Sequence, residues 1–123
     1  MGEFVAGRVE DFDNRSSRVV ELGGRSVGVF RVDDSFFALL NSCPHQGGPV
    51  CTGGVFPRTR AEVLPNGRLR EWHDHESPVV ACPWHGWEFD IATGQCLADP
   101  QRRVVSFGAA IVEGQVVVTM PDR

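Results

Sequence analysis

The chain has 123 residues, 41% of them apolar, and its 12 basic and 16 acidic side chains leave a net charge of −4. That length fits one domain with a core of its own and excludes a two-domain enzyme. Every basic residue is arginine, the mild acidity lacks the footprint of a nucleic-acid binder, and the longest apolar runs, such as Phe36 to Leu40 and Ala109 to Val112, fall far short of the ~20 residues a membrane helix needs.

Short apolar segments follow one another between turn signals. In chain order they are Phe4 to Val9, Arg18 to Leu22, Ser26 to Val32, Ser35 to Leu40, Val79 to Ala81, Val104 to Phe107, Ala109 to Val112 and Gln115 to Met120. They are rich in Val and Phe and too brief for helices, which predicts strands. Gly23-Gly24, Asp33-Asp34 and Glu113-Gly114 fall between consecutive segments and predict hairpin turns. With 14 Gly and 8 Pro and no sustained 3.6-residue period, helix should be nearly absent and the domain all-β. The opening Met1-Gly2-Glu3-Phe4-Val5-Ala6 has no basic n-region or apolar h-region, and position 6 is not the Ser or Thr of a myristoylation signal. The expected location is therefore the cytoplasm, with Asn14-Arg15-Ser16 a chance glycosylation match. Four cysteines in a reducing compartment argue for metal or redox chemistry before disulfides.

Between Asn41 and Pro100 the composition turns to Cys, His, Pro, Gly and Trp, as expected of a functional insert carried on a β base. Two knuckles stand out there, Cys43-Pro44-His45-Gln46-Gly47-Gly48-Pro49 and Cys82-Pro83-Trp84-His85-Gly86-Trp87. Each offers one thiolate and one imidazole, so together they supply a four-ligand S₂N₂ set. Prolines after each Cys stiffen the loops, and glycines after each His let backbone amides approach the bound centre. A zinc site usually draws a like pair from each loop. A [2Fe-2S] centre with two Cys on one iron and two His on the other is served naturally when each loop gives one of each.

On these residues the chain resembles the Rieske ferredoxin family: Cys-x-His, then 36 residues, then Cys-x-x-His, with Gln46-Gly47-Gly48-Pro49 and Gly86-Trp87-Glu88-Phe89-Asp90 following the ligands. The resemblance implies a Rieske fold over residues 1–123, an antiparallel β-sandwich base (1–40 and 101–123) with a smaller cluster-binding subdomain at about 41–100. It implies one [2Fe-2S] cluster per chain held by Cys43, His45, Cys82 and His85, with Gln46, Gly47, Trp84 and Gly86 around it. It implies a one-electron carrier, not itself an enzyme, that passes electrons from a flavin-dependent reductase to the terminal oxygenase of a multicomponent oxygenase system. The alternatives are a Rieske subunit or regulatory module of another redox enzyme, such as a nitrite reductase small subunit, and a structural zinc-binding module.

The gap between the knuckles is longer than in compact members of that family. The extra stretch, about Phe56 to Pro78, carries the turn signal Pro65-Asn66-Gly67 and balanced charges, and is expected to rim the cluster face. Within it, Trp72-His73-Asp74-His75-Glu76 could supply two histidines and a carboxylate to a second metal, but a charged segment ending at Ser77-Pro78 reads as a solvated hairpin arm. Respiratory relatives have a cross-loop disulfide, and one of its positions is Trp84 here, so that bridge cannot form. Cys51 and Cys96 are expected as small buried hydrophobes. Trp84 is expected to cover the cluster and limit water access, Trp87 to be a core aromatic, and Asp90, Thr93 and Gly94 to form an ordinary turn.

Overall fold

Valine and phenylalanine cluster near both termini, as Phe4-Val5 and Val116-Val117-Val118, and in the computed structural model, which describes residues 1–121, these stretches pair with one another. Nine strands follow in order: β1 (Gly2–Arg8), β2 (Ser16–Leu22), β3 (Arg25–Val32), β4 (Ser35–Leu40), β5 (Val55–Val63), β6 (Leu69–Ala81), β7 (Glu88–Asp90), β8 (Ser106–Val112) and β9 (Gln115–Met120). The only helical pieces among the described residues are single 3-10 turns at Val9–Asp11 and Val50–Thr52. Six strands form one antiparallel sheet in the order β1-β9-β8-β4-β3-β2, and the other three form a second in the order β5-β6-β7.

The predicted turns are where expected because their residues tolerate the left-handed backbone. Gly23 and Gly24 have φ of 58° and 78°, Glu113 and Gly114 of 49° and 77°, and Asp33 of 56°. Strands β3 and β4 are buried on both faces. Val27, Val29 and Ala38 face a core with Phe12, Leu22, Phe36, Val116, Val118 and Met120. Phe30 and Leu39 point the other way, into a second core with Val50, Val80, Phe89, Ile91, Val104 and all four cysteines. Because side chains alternate along a strand, these two strands form the wall shared by the base and the part that carries both knuckles.

The segmentation differs from expectation in two places. Val104–Phe107 and Ala109–Val112 do not form separate strands: β8 runs continuously from Ser106 to Val112. The stretch from Val55 to Ala81 is a long hairpin, of which Val79–Ala81 is only the buried end. Its distal part has no apolar face to reveal it, being held by charge: Arg60 to Asp74 at 2.7 Å and Arg70 to Glu62 at 3.2 Å, with Arg70 5.2 Å from the Trp72 ring. The Arg60 guanidinium holds the Asp74 carboxyl below the usual carboxylate range. The arm turns at Leu64–Arg68, where Gly67 has φ 82° and donates its N–H to Leu64 O, as Pro65-Asn66-Gly67 predicts. At its root Arg58 binds Asp90 at 2.7 Å, so Asp90 does more than turn the chain: it also ties β5 to β7.

One close approach carries a testable cost. Gly53 has φ −69°, an ordinary backbone conformation, yet a Cβ there would drive into the Ala81 carbonyl oxygen. Backbone cannot swing aside as a flexible side chain can. Gly53→Ala is therefore expected to cost about 3 kcal/mol by overpacking, read as a lower denaturation midpoint; an unchanged midpoint would show that the two loops are not locked together here.

Candidate metal centre

Both knuckles fold into the same turn. Gly47 N–H donates to Cys43 O at 2.7 Å and Cys43 N–H to Gly48 O at 2.8 Å; Gly86 N–H donates to Cys82 O at 2.8 Å and Cys82 N–H to Trp87 O at 2.8 Å. Gly47 and Gly86 hold φ of 75° and 71°, the left-handed conformation that closes each loop. Loop one leaves β4 of the shared wall and loop two leaves β6 of the second sheet. The histidine is third in the first loop and fourth in the second, so two matched loops present their rings from unmatched positions.

The four residues divide into two like pairs. Cys43 and Cys82 are buried, 3% and 1% exposed, with their thiols in hydrogen-bond contact. Burial pushes the Cys43 thiol above its ordinary value; the backbone amides of His45 and Gln46 aimed at its sulfur pull the other way, and the adjacent Cys82 adds to the rise. His85 is exposed and His45 half-exposed. Their Nδ1 atoms face each other at 3.3 Å with the rings edge to face, 86° apart. Two nitrogens bound to one tetrahedral metal at about 2.1 Å stand about 3.4 Å apart, so the imidazole pair matches one metal position. Two buried sulfurs aided by amides and two outer nitrogens fit a group of two metals, one per pair. Among the described residues, no three Cys, His or carboxylate groups converge on a single ion position.

The surrounding residues take distinct places. Gly47 and Gly86 close the loops, and the Gln46 amide points at the Cys43 sulfur. Trp84 is 56% exposed and lies over the first loop; a Cβ on Gly48 would stand 2.8 Å from its ring. Trp87 is not only a core aromatic. It packs against the inner core and also stacks on His45 at 4.5 Å, 15° from parallel. Arg102, which sequence reading gave no role, stands 5.3 Å from the Trp87 ring. No local pattern marks Arg102, because it reaches the site only through the fold. His73 and His75 are exposed on the hairpin arm, and the carboxylate between them is engaged by Arg60.

Cys51 and Cys96 are free, fully buried thiols. Cys51 Sγ donates to Leu39 O at 3.5 Å, and burial raises its pKa from 9.0 to about 12, with the Gly28 backbone opposing. A raised thiol pKa stabilises the fold below the unfolded value and loses that contribution as pH rises through the folded one. Cys51 is expected to resist thiol alkylation in the folded protein at neutral pH, and part of the stability should disappear between pH 9.0 and about 12. Rapid labelling of Cys51 at full folding, followed by peptide mass, would refute its burial.

The Rieske [2Fe-2S] domain family matches residues 2–108. Mouse apoptosis-inducing factor 3 is 37% identical over 86 residues, 70% of this chain but only 11% of that protein. Ferredoxin CarAc of Metapseudomonas resinovorans is 28% identical over 102 residues, 82% of this chain and 77% of its own. A Mycobacterium tuberculosis protein assigned as an NADH-dependent nitrite reductase small subunit shares the fold at TM-score 0.77 and 25% identity, over 99% of this chain and 97% of that one. A chain from the complex of reduced oxygenase and oxidized ferredoxin in carbazole 1,9a-dioxygenase does so at TM-score 0.69 and 24% identity, over 94% and 91%.

Proposed function

The chain belongs to the Rieske [2Fe-2S] domain family, and on that premise we propose that it is a one-electron carrier whose single cluster is held by Cys43 and Cys82 on one iron and His45 and His85 on the other. The division of the four residues into a buried thiol pair and an outer imidazole pair carries this reading. The cluster supplies the chemistry of taking up and returning one electron. The chain's residues do the rest. The inner core of Phe30, Leu39, Val50, Phe89 and Ile91 excludes water behind the sulfurs, and the loop amides offset their negative charge. The exposed His85 and half-exposed His45 give a partner protein an approach to the electron. Iron and acid-labile sulfide analysis tests the reading. Two of each per chain with a red-brown colour agree with it, and one zinc with no sulfide overturns it.

The donor is read as a flavin-dependent reductase and the acceptor as a terminal oxygenase. Support comes from the likeness to ferredoxin CarAc over most of both chains and from the shared fold with a chain of an oxygenase–ferredoxin complex. The chain spans 11% of apoptosis-inducing factor 3, so that protein's activity is not carried over. A second reading, a permanent subunit of a nitrite reductase, is favoured by near end-to-end overlap with the Mycobacterium tuberculosis protein. Docking strength separates the two. A carrier must leave its partner quickly, and small redox interfaces are governed by charge. Turnover is expected to fall as ionic strength moves from about 0.05 to 0.5 M; a nanomolar, salt-insensitive complex would select the permanent subunit.

A further inference from the structure

We propose that Trp87 and Arg102 are positioning residues that fix the plane of the His45 imidazole and set a positive charge against the indole that packs on it. The inference rests on the cluster assignment above. Trp87 comes from the second loop and His45 from the first, yet their rings lie 4.5 Å apart and 15° from parallel. His85 meets His45 edge to face and has no stacked ring of its own among the described residues. An imidazole on an exposed loop would otherwise turn about its side-chain torsions; a flat indole against its face removes that freedom.

Arg102 extends the device. Its guanidinium lies 5.3 Å from the indole, within the ~6 Å reach of a cation–π contact. Asp99 holds it from behind at 3.2 Å, and its backbone is fixed by N–H donation to Asp99 O at 2.9 Å and by Cys96 N–H donating to its carbonyl at 2.9 Å. The cation is therefore placed rather than free to sweep solvent. One-electron reduction adds one negative charge, and that charge favours the iron with neutral imidazole ligands over the one with two thiolates. A fixed cation on that side stabilises the reduced form more than the oxidised form and raises the potential.

The test uses purified cluster-loaded protein carrying Arg102→Gln, Arg102→Lys, Trp87→Phe or Trp87→Leu. It reads iron and sulfide content, a redox titration, and the electron paramagnetic resonance spectrum of the reduced form. Arg102→Gln is expected to keep its iron and shift the midpoint to more negative values, while Arg102→Lys stays near wild type. Trp87→Leu is expected to move the anisotropy of the reduced spectrum, and Trp87→Phe, which keeps a flat ring, to restore it. A merely structural role would lower the melting temperature without moving either quantity. Unchanged midpoint in Arg102→Gln together with an unchanged spectrum in Trp87→Leu, both at full iron content, overturns the inference. If Trp87→Leu holds no iron, equal midpoints for Arg102→Gln and Arg102→Lys overturn it instead. Wild-type protein without iron or sulfide would overturn the cluster assignment, a separate failure.

Discussion

Cys43→Ser, Cys82→Ser, His45→Ala and His85→Ala are each expected to yield protein with almost no iron and no visible absorption. On the proposed assignment the loss should be from two irons per chain towards none, because a centre so held has only these four protein ligands. Cys43 and Cys82 are 3% and 1% exposed, so bulk water has little access to replace a lost sulfur. Cys51 and Cys96 share the same core, but Cys51 is turned towards the Leu39 carbonyl and its thiol stays protonated, with a pKa of about 12. At the outer end, alanine at either histidine leaves one nitrogen where two now stand 3.3 Å apart. His73→Ala and His75→Ala provide the contrast. Both are exposed on the hairpin arm, and both variants should keep full iron content. Iron analysis and visible spectra decide the matter; bleaching by His73→Ala with colour retained in His85→Ala would refute the ligand set.

The two candidate loops could be picked out from sequence because their Cys and His sit on contiguous residues. Cys-x-His and Cys-x-x-His with their prolines and glycines name the candidate ligands and the loop closure, and the loops fold as two copies of one turn. The base was readable because its Val- and Phe-rich runs are too brief for helices, and Gly23-Gly24 and Glu113-Gly114 advertise their turns. The hairpin arm was marked by its Pro65-Asn66-Gly67 turn, but its long paired strands were not, for the opposite reason. Its outer strands bury almost nothing and are held by cross-strand ion pairs such as Arg60–Asp74, so periodicity has no apolar face to report. The Arg58–Asp90 tie joins residues 32 apart, and the Trp87–His45 stack joins two loops 42 apart in sequence. Such contacts exist only after the chain has closed on itself, which is why Trp87 read as a core residue and Arg102 as nothing in particular.

The reduction potential is expected at the low end of the Rieske range, which runs from about −150 to +300 mV. Reduction adds negative charge, so hydrogen-bond donors near the sulfurs stabilise the reduced form and raise the potential. In the high-potential respiratory branch of the family, from which this sequence departs, a Ser two residues and a Tyr four residues after the second histidine supply hydroxyls. The corresponding positions are Trp87 and Phe89. The Trp87 ring lies against His45, and Phe89 is fully buried and paired with Val80 in the second sheet. Neither can deliver a hydroxyl, and the chain contains no tyrosine to do so from another loop. The four cysteines are free thiols, so no cross-loop disulfide stiffens the site. Amides of the His45 and Gln46 type remain as donors to Cys43, but such backbone donors come with the shared loop design and cannot separate the classes. The charge of Arg102 works in the opposite direction, yet it is 45% exposed and paired with Asp99, so solvent and the carboxylate both weaken it. The absence of hydroxyl donors at these two positions should therefore dominate. A centre of this kind can take electrons from a flavin reductase and is a poor oxidant for a quinol. Redox titration of the purified protein checks it: a midpoint above about +100 mV, in the upper half of that range, would defeat both the hydroxyl argument and the reductase-fed carrier.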